Sequence, residues 1–402
     1  MKTIAVIFGG ESVEHDVSIL TALQFMNAMD PEKYLSLPVY VAPDGVWWSG
    51  EKLRKKDFYP LTQAGKKDLT PLTLPFESFR RQKPYFLANQ RSKFKKQKKI
   101  PFDLIVPAIH GSHGEDGTLQ GLFEFTGLPY AGSGVLAAAA AMDKAFTKTH
   151  LSGLGIPVLP HILVKKPDEG TFISPDELAK GIKQAFGAKP YPVIVKPCHL
   201  GSSIGVTPAE NMDDVIAGLL FCFRIDTAAI LEPFVDNLVE YNVAVSRAFG
   251  SLRTSVIERP LKEREFLAFC DKYLTGDKDG LKTGTASAEG MASLNRVINP
   301  GELGKAKTEK IKTWALSAFK ELNLAGSVRI DFLGNEKTGE LWLNEINTIP
   351  GSFAYYLWQE SEPSVSFTNL TTAIIEEGLR QSAAKSFDTD RTLGGAAIFK
   401  ND

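Results

Sequence analysis

Late in the chain, two short apolar segments carry charged or amide side chains at alternate positions, Arg329 and Asp331 in the first and Glu345 and Asn347 in the second. Because successive side chains of a β-strand point to opposite faces, each pair shares one face if the segments are strands. Two carboxylates and an amide oxygen on one face would form an all-oxygen site, which suits Mg²⁺ or Mn²⁺. Apolar neighbours on both faces predict burial rather than an exposed strand pair, and a buried guanidinium requires an anion beside it.

Turn-forming residues separate the two segments, so the segments are predicted to form an antiparallel hairpin. Pairing Leu333 with Leu341 leaves residues 334–340 as the loop and places both polar pairs on the same face. The sequence alone leaves this register open, because a shift by one residue turns one pair to the opposite face.

A second candidate site is the glycine-serine loop, Gly201-Ser202-Ser203-Ile204-Gly205, which follows a predicted strand containing Lys196. Small residues let backbone N–H groups approach a phosphate closely, and a lysine supplies a point charge. The spacing is not that of a P-loop, so an ordinary β-turn is equally consistent with these residues taken alone. Lys144, near the end of a predicted alanine-rich helix over residues 135–148, is ambiguous in the same way.

Two glycine-containing turns follow predicted strands in the first third of the chain. Residues 9–16 precede a predicted helix whose N-terminus would attract an anion, but they lack the G-x-G-x-x-G spacing of dinucleotide-binding folds. Residues 110–117 include His110 and His113, which could suggest zinc. The glycines around them favour a loop that lies close to a ligand, because a mobile loop is a poor metal cage.

The elements that must position these residues begin as an alternation of strands and helices. Strands are predicted at residues 4–8, 35–42 and 104–109, with helices starting near residues 13 and 116. This order predicts a parallel α/β sheet, whose ligands usually lie beyond the carboxyl ends of the strands.

Residues 51–100 interrupt this alternation. The segment from 80 to 99 holds nine basic residues and no acidic one: Arg80, Arg81, Lys83, Arg91, Lys93, Lys95, Lys96, Lys98 and Lys99. With Tyr85, Phe86 and Phe94 interleaved, one interpretation is a polyanion or nucleic-acid surface. The simpler interpretation is a solvated insertion on a surface loop, and the near-zero net charge of the chain favours it.

Composition limits the class of protein. The chain of 402 residues has 46 lysine and arginine residues against 47 aspartate and glutamate residues, which argues against a dedicated nucleic-acid or membrane-surface protein. No apolar run has the length of a membrane span, and the N-terminus is not interpreted as a signal peptide. Three scattered cysteines without a C-x-x-C exclude a disulfide scaffold and a structural zinc site built on cysteines, and they predict a cytoplasmic protein.

The chain resembles the D-alanine–D-alanine ligase family of the ATP-grasp superfamily over roughly residues 3–360. Eight pieces stand in the family order, which makes the match specific: Gly9-Gly10 with Ser12, Glu14, Val17 and Ser18; His110-Gly111 with Gly114-Glu115-Asp116-Gly117-Thr118, Gln120 and Gly121; Pro129-Tyr130 with Gly132-Ser133-Gly134; Met142-Asp143-Lys144; Val195-Lys196-Pro197 with Gly201-Ser202-Ser203 and Gly205; Lys272-Tyr273; Arg329 with Asp331; and Glu345 with Asn347-Thr348 and Pro350-Gly351.

This resemblance implies an α/β protein with the ATP-grasp fold. An N-terminal parallel, Rossmann-like domain (residues 1–133, with the basic insertion at about 51–100) would precede two α+β domains that clamp ATP, residues 134–232 and 233–402. The implied enzyme is an ADP-forming ligase that phosphorylates one D-alanine and joins it to a second for peptidoglycan precursor synthesis. A cytoplasmic homodimer that uses ATP and two Mg²⁺ ions, with Mn²⁺ as a possible substitute, is also implied.

The resemblance further implies roles for individual residues. Lys144 and Lys196 would contact the nucleotide phosphates, Glu232 the adenine amino group and Glu240 the ribose. The other implied nucleotide-binding residues are Ser203, Phe234, Val235 and Lys272. Asp331, Glu345 and Asn347 would hold the metal ions. The implied catalytic residues are Glu14, Ser202, Tyr273 and Arg329, and the implied substrate contacts are Val17, His110, Gly351 and Tyr356.

Two positions depart from the family pattern. Pro233 follows Glu232 where the family commonly has lysine, so one adenine contact would come from the backbone alone. Tyr356 stands where the family usually has a serine that helps to hold the carboxylate of the second substrate. A related ligase that joins D-alanine to another D-amino acid or to a D-hydroxy acid is therefore the alternative function.

Overall fold

The computed structural model describes residues 1–77, 79, 82–89, 97–171, 173–261 and 296–385. The first part forms a seven-stranded sheet in the order β6-β5-β4-β3-β2-β1-β7. Its strands are β1 (Lys2–Gly9), β2 (Tyr34–Val41), β3 (Trp47–Ser49), β4 (Thr70–Thr73), β5 (Tyr85–Ala88), β6 (Lys98–Pro101) and β7 (Leu104–Pro107). Helices α1 (His15–Ala28) and α2 (Thr118–Thr126) accompany them.

Strand β1 is the centre of the parallel part of this sheet, since it pairs in parallel with both β2 and β7. Ile4, Val6 and Phe8 belong to one apolar cluster, while Ala5 and Ile7 belong to another. The continuous apolar run therefore fills both faces of the sheet, which is the property that predicted a doubly covered strand. The helix after it begins later than predicted, because Val13 is exposed and precedes α1.

The described residues of the 51–100 segment are more than the surface-loop insertion that the sequence predicted. They supply β4, β5 and β6, which extend the parallel sheet by antiparallel pairing. Tyr85 and Phe86 are buried, and the Phe86 ring lies 4.7 Å from that of Phe102. Since these rings are inside the sheet's core, they are unavailable for stacking on nucleic-acid bases.

Three basic residues of this segment are described, Lys83, Lys98 and Lys99; Lys98 is exposed, and the other two have local partners. Lys83 Nζ lies 2.8 Å from a carboxylate oxygen of Asp103, and Lys99 Nζ lies 3.9 Å from the ring centre of Tyr85. The other predicted basic residues Arg80, Arg81, Arg91, Lys93, Lys95 and Lys96 lie outside the described residues, as does Phe94.

The central part of the chain forms a four-stranded antiparallel sheet in the order β10-β9-β11-β8. Its strands are β8 (Ile162–Lys165), β9 (Val193–Pro197), β10 (Thr207–Ala209) and β11 (Ala228–Pro233). Helices α5 (Pro175–Phe186) and α6 (Met212–Cys222) share its apolar core. Strands β9 and β11 are antiparallel neighbours, with Lys196 opposite Ile230 and Glu232 opposite Ile194, so Lys196 and Glu232 lie two positions apart on adjacent strands.

The predicted single helix over residues 135–148 is two helices, α3 (Val135–Met142) and α4 (Lys144–Ser152). Asp143 between them has an extended backbone, and its carboxylate accepts a hydrogen bond from the Phe146 N–H at 2.9 Å. An aspartate that caps a helix in this way favours a new start over continuation. Lys144 is therefore the first residue of α4 rather than a residue near the end of one long helix.

The last part forms a five-stranded antiparallel sheet in the order β14-β13-β12-β15-β16. Its strands are β12 (Leu238–Ser246), β13 (Arg253–Pro260), β14 (Arg296–Ile298), β15 (Ser327–Asn335) and β16 (Leu341–Asn347). The accompanying helices are α7 (Gly304–Glu321), α8 (Tyr355–Gln359) and α9 (Phe367–Ala384). Short 3-10 helices span Glu51–Arg54, Lys56–Phe58, Gly65–Asp68, Gly301–Leu303 and Gly351–Ala354.

The core of this last sheet also includes alanines of α3, Ala137, Ala140 and Ala141. Thus α3 packs with the third sheet, although it precedes the second in sequence. The predicted boundary at residue 134 stays a prediction. None of the helices within the described ranges combines the length and the apolar character that crossing a bilayer requires.

Candidate functional site

A central cleft of about 910 Å³ lies where the three sheets meet. This volume is within the usual range for small-molecule sites. The predicted residues that line it are Glu14, Val17, His110, Lys144, Lys196, Ser202, Ser203, Phe234, Val235, Glu240, Arg329, Asp331, Glu345, Asn347 and Gly351. Glu232 and Tyr356 lie behind its wall, and Lys272 and Tyr273 lie outside the described residues.

The late hairpin forms as predicted, but its register differs from the predicted one. Leu341 pairs with Gly334, and Leu333 pairs with Trp342. At the other end Asp331 pairs with Glu345 and Arg329 pairs with Asn347, with a β-bulge between the two registers. The predicted pairing of Leu333 with Leu341 is therefore wrong, whereas the shared face of the functional residues is confirmed.

The β-bulge at Asn344 determines which face of the hairpin carries the Glu345 side chain. Continuing the register of Leu333 and Trp342 would place Asn344 opposite Asp331 and turn Glu345 to the other face. One extra residue in β16 shifts the pairing, so that Glu345 faces Asp331. As a result Asn344 and Glu345 both line the cleft, although they are consecutive.

Arg329 and Asp331 form a buried two-pronged ion pair. Arg329 donates from Nε to Oδ1 and from Nη2 to Oδ2 of Asp331, both at 2.7 Å, and the Asn347 amide donates to Oδ2 at 2.9 Å. Burial raises the pKa of Asp331 to about 6, while Arg329 opposes this and Glu345 adds to it. The buried guanidinium thus has the anionic partner that its position demands.

Two lysines place positive charge on the opposite side of these acids. Lys144 Nζ lies 3.6 Å from Glu345 Oε2 and donates a hydrogen bond to the Leu200 carbonyl at 2.5 Å. Lys196 Nζ donates to Asn344 Oδ1 at 3.1 Å. Burial would raise the pKa of Glu345, but Lys144, Lys196 and Arg329 outweigh it and lower the pKa. Glu345 is therefore an anion in a strongly positive environment.

Lys148 is a buried cation that the sequence reasoning missed. Its Nζ lies 2.7 Å from Glu232 Oε1 and 3.4 Å from the Leu343 carbonyl oxygen, and its side chain is 0% exposed. Lys196 Nζ lies 2.5 Å from the other oxygen of Glu232. Burial lowers the pKa of Lys148 to about 8 in spite of Glu232. Burial would raise the pKa of Glu232, yet the two lysines lower it to about 2.

The glycine-serine loop brings a hydroxyl onto the N-terminal part of the chain. Ser202 and Ser203 both have left-handed backbones, with φ of 53° and 57°. The Ser202 hydroxyl donates a hydrogen bond to the Glu14 carboxylate. Burial raises the pKa of Glu14, with Ser202 opposing. The loop is thus a left-handed turn closing over Glu14, and a phosphate-binding role for it stays a prediction.

Glycines hold the other side of Glu14. A Cβ on Gly111 would lie 2.6 Å from Glu14 Oε2, and Gly111 has φ of 70°. A Cβ on Gly201 would lie 3.2 Å from the same carboxylate. At Gly111 the left-handed backbone and the close approach to Glu14 both favour glycine, whereas a Cβ at Gly201 would need only a small shift of the Glu14 side chain.

Glu115 is a second buried group that the site prediction omitted, although it belongs to the motif quoted above. Its carboxylate accepts hydrogen bonds from the Gly111 N–H at 3.0 Å, the Ile349 N–H at 2.7 Å and the Thr348 hydroxyl at 3.3 Å. Burial raises its pKa to about 7. Glu115 ties the loop after β7 to the segment that follows Asn347.

The two histidines of residues 110–117 do not form a zinc pair. His110 Nε2 lies 2.9 Å from the Thr21 hydroxyl oxygen, and burial lowers the pKa of His110 to about 3, so the ring is neutral. His113 is exposed, with its nearest acid, Asp116, 4.0 Å away. The two rings therefore lie in different environments, and a ligand-contacting role for this loop stays a prediction.

Tyr356 occupies a separate buried position next to the cleft. Among the described residues its hydroxyl has no hydrogen-bond partner of acceptable geometry. The Arg296 guanidinium lies 4.0 Å from its ring centre and also pairs with Glu258 at 2.8 Å. Burial raises the pKa of Tyr356, while Arg329 opposes the shift. The phenol is thus a neutral donor behind the wall that holds Arg329.

Known proteins are similar in sequence to this chain over nearly its whole length. Residues 3–133 match the family described as "D-ala D-ala ligase N-terminus", and residues 151–376 match "D-ala D-ala ligase C-terminus". The D-alanine–D-alanine ligase of Thermosipho melanesiensis is 34% identical over 400 residues, which cover 97% of this chain and 98% of that protein. That of Staphylococcus haemolyticus is 32% identical over 389 residues, covering 93% of this chain and 94% of that protein.

Solved structures show the same fold. The D-alanine-D-alanine ligase from Coxiella burnetii superposes with a TM-score of 0.76 at 24% identity, covering 99% of each chain. The VanG D-Ala:D-Ser ligase from Enterococcus faecalis superposes with a TM-score of 0.73 at 26% identity, covering 94% of this chain and 99% of that chain. Matches that span both halves of the sequence, on the ATP-grasp fold, establish that this chain belongs to the D-alanine–D-alanine ligase family.

Proposed function

We propose that this protein is an ATP-dependent, ADP-forming ligase that joins two molecules of D-alanine for peptidoglycan precursor synthesis. ATP would phosphorylate the carboxylate of the first D-alanine, and the amine of the second would attack the acyl phosphate and release inorganic phosphate. The observation that carries the proposal is the meeting of Arg329, Asp331 and Glu345 with Lys144 and Lys196 in one cleft.

The charge distribution suits phosphoryl transfer. Such transfer depends on positioning and on stabilising negative charge rather than on a protein nucleophile. Lys144 and Lys196 enter the cleft from α4 and β9, two separate elements, and both lie beside Glu345 or Asn344. In the proposed complex these two ammonium groups bind the nucleotide phosphates.

Asp331, Glu345 and Asn347, the oxygen-donor set, are suited to hold Mg²⁺. They present two carboxylates and one amide in the cleft, and oxygen ligands are those that Mg²⁺ prefers. When bound, Mg²⁺ would neutralise phosphate charge and align the transferred group. Arg329, whose partner here is Asp331, would then be free to face the negative charge that develops on the substrate, together with the Gly351 N–H.

The remaining side chains are proposed to orient D-alanine and to exclude water. Glu14 would bind the amine of the first substrate, since it is an acid held at the cleft by Ser202, Gly111 and Gly201. An acyl phosphate must be shielded from water, and the glycine-serine loop is placed to cover it. Tyr273 and Lys272 would complete this cover, as the family resemblance implies.

Nucleotide contacts are proposed for the strand end that follows Glu232. Phe234 and Val235 line the cleft and would pack on the adenine ring, while Glu240 would bind the ribose. Glu232 is buried, and its two carboxylate oxygens pair with Lys148 and Lys196. To contact adenine, one of these oxygens would have to accept a hydrogen bond from the adenine amino group in addition to its lysine partner.

Tyr356 bears on the identity of the second substrate. Tyr356 is bulkier than the serine of the family pattern, and its hydroxyl is unpaired behind Arg329. One similar structure is that of a D-Ala:D-Ser ligase. A ligase that adds a different D-amino acid or a D-hydroxy acid is therefore the alternative.

One assay separates these possibilities. The purified protein is incubated with ATP, Mg²⁺ and either D-alanine alone or D-alanine paired with one other D-amino acid or with D-lactate; phosphate release and product mass are then measured. D-alanine alone should give a dipeptide. A faster mixed product would support the alternative, and the absence of ADP with every substrate would reject both.

Asp331→Asn is the matching variant. Loss of one acid of the oxygen-donor set should lower turnover by at least about 10²-fold and raise the Mg²⁺ concentration that half-maximal turnover requires. The melting temperature should also fall, because Arg329 loses the charge of its partner. Asp213→Asn, at an exposed site in α6, is the control. An unchanged dependence of turnover on the Mg²⁺ concentration would contradict the metal-binding role.

The assembly and location of the protein are also proposals. We infer a cytoplasmic homodimer from membership of the family. Light scattering after size-exclusion chromatography, over a range of protein concentrations, tests the dimer; a single species with the mass of one 402-residue chain would refute it.

A further inference from the structure

Behind the lysines of the cleft, three side chains of different chemistry converge. The Cys198 thiol donates to Asp143 Oδ1 at 3.2 Å, and His199 Nε2 lies 3.6 Å from Asp143 Oδ2. One oxygen, the sulfur and one nitrogen from these residues all lie within 4.8 Å of one another. Within the described ranges no other group of three His, Cys, Asp or Glu side chains approaches this closely.

A fourth residue fixes the histidine of this cluster. Asp226 Oδ1 lies 2.8 Å from His199 Nδ1, and its other oxygen accepts the His199 backbone N–H at 2.7 Å. The Asp226 side chain is nearly fully buried, so the ring is held firmly. Metal-bound histidines almost always donate their second ring N–H to such a carboxylate, because this orients the free nitrogen toward the ion.

The donor set distinguishes this cluster from the oxygen-donor set in the cleft. A thiolate, an imidazole and a carboxylate are together typical ligands of Zn²⁺, with water or another ligand in the fourth position. Cys198 is fully buried, whereas the side chains of Asp143 and His199 are each 36% exposed, which leaves an entry from solvent. We propose that Asp143, Cys198 and His199 form a binding site for a divalent cation of the Zn²⁺ type, with Asp226 orienting His199.

Binding at this site would release protons in a defined number. Burial raises the pKa of the Cys198 thiol to about 12, and hydrogen bonds with Asp143 and Asp226 raise the pKa of His199 to about 9. At pH 7 the thiol is therefore protonated and the imidazole is a cation. The ion replaces the S–H proton and the Nε2–H proton, so two protons leave for each ion bound.

The site would also connect two parts of the ligase that carry its lysines. Asp143 directly precedes Lys144 at the start of α4, and Cys198 follows the Lys196-Pro197 end of β9. The Lys144 N–H already donates to the Cys198 carbonyl at 3.2 Å. A bound ion would add a second link between α4 and the segment leading to the glycine-serine loop.

Cobalt(II) and zinc titrations of the intact protein test the proposal. The near-ultraviolet absorption of a thiolate–cobalt bond should saturate at one Co²⁺ per chain, and Zn²⁺ should displace this Co²⁺ and remove the absorption. Zn²⁺ added to the metal-free protein should release two protons in weakly buffered solution. The oxygen-donor set has no sulfur, so cobalt there cannot produce this absorption.

Variants assign the signal to its residues. Cys198→Ser should abolish the thiolate absorption. Asp226→Asn should lower the affinity of the site for Co²⁺ by about 10–100-fold. His199→Gln should lower this affinity at least as strongly as Asp226→Asn. Cys222→Ser is the matched control, since Cys222 is equally buried but lies outside the cluster; Cys270→Ser is a second control. Circular dichroism in EDTA confirms that each variant is folded.

The contrary outcomes are equally clear. No thiolate–cobalt absorption in the parent protein, or an absorption that survives Cys198→Ser, would overturn the proposal. An absorption lost on replacing Cys222 or Cys270 instead would place the ion elsewhere and also overturn it.

Discussion

Glu232 is the only acid in contact with two buried lysines, among the residues that the structure describes, so its replacement by glutamine is a sharp test of the electrostatic argument. Lys148 has no exposed side-chain surface, and both Lys148 and Lys196 lie within 2.7 Å of the Glu232 carboxylate. Glu232→Gln keeps the shape and leaves two buried cations without an anion. Breaking a buried pair in this way costs about 3–5 kcal/mol.

The loss of stability caused by Glu232→Gln is measured as the difference in free energy of unfolding between the parent and the variant, from urea melts at pH 7 without nucleotide. Adding Lys148→Met to Glu232→Gln removes the stranded cation and should recover about half of the loss, because Lys196 borders the cleft and can reach solvent. Glu309→Gln, an exposed substitution on α7, should change stability by less than about 0.5 kcal/mol.

The pH dependence of the Glu232→Gln variant has a definite sign. Without Glu232, the pKa of Lys148 in the folded protein falls further below its value in the unfolded chain. At a pH between the folded and the unfolded pKa of Lys148, the unfolded chain therefore binds more protons than the folded protein. The variant should therefore become more stable, relative to the parent, as the pH rises from 7 to 9. A loss below about 1 kcal/mol, or a double variant no more stable than Glu232→Gln, would refute the reasoning.

Other parts of the structure give three more predictions. His199→Gln should abolish one pH-dependent part of the free energy of unfolding. In the parent protein, the two carboxylate partners raise the folded pKa of His199 to about 9. The parent should therefore lose about 1–2 kcal/mol of stability, after allowance for solvent screening, as the pH rises from about 6.5 through 9. Urea melts in EDTA that show the same pH profile for both proteins would contradict this. Arg329→Lys should lower turnover by about 10²–10³-fold, because a lysine cannot reproduce the two parallel hydrogen bonds of the guanidinium; a phosphate-release rate near that of the parent would exclude the assigned role. Gly111→Ala should raise the KM for D-alanine, since the new Cβ would lie 2.6 Å from the Glu14 carboxylate, whereas Gly121→Ala, with open space around it, should leave KM unchanged. An equal effect of the two alanines would contradict this account of the site.

Local patterns predicted much of the framework. The apolar run of β1 and the alternation in the late hairpin both depend on neighbours in sequence, so they were readable without coordinates. The same alternation identified Arg329, Asp331, Glu345 and Asn347 as one group, and the structure places all four in the central cleft.

Other local predictions failed because a single residue changed the outcome. Asp143 divides the alanine-rich segment because its side chain caps the N-terminus of α4. The helix propensity of the alanines favours one continuous helix, whereas the cap favours a new start, and propensity alone does not predict which of the two prevails. The near-zero net charge of the chain favours a solvated surface loop for the basic segment 80–99. The structure instead pairs β4 with β3 and buries Phe86 of β5, which depends on contacts between residues far apart in the chain.

By itself, then, the sequence determined the central strand β1, the late hairpin, the family and the residue types available for chemistry. The tertiary structure alone decided the partners of these residues. The bulge at Asn344 turns Glu345 toward Asp331, and the packing of α4 beside the paired strands β9 and β11 encloses Glu232 between Lys148 and Lys196. The physical reason is that strand register and buried ion pairing depend on groups far apart in the chain, whose approach no local pattern specifies.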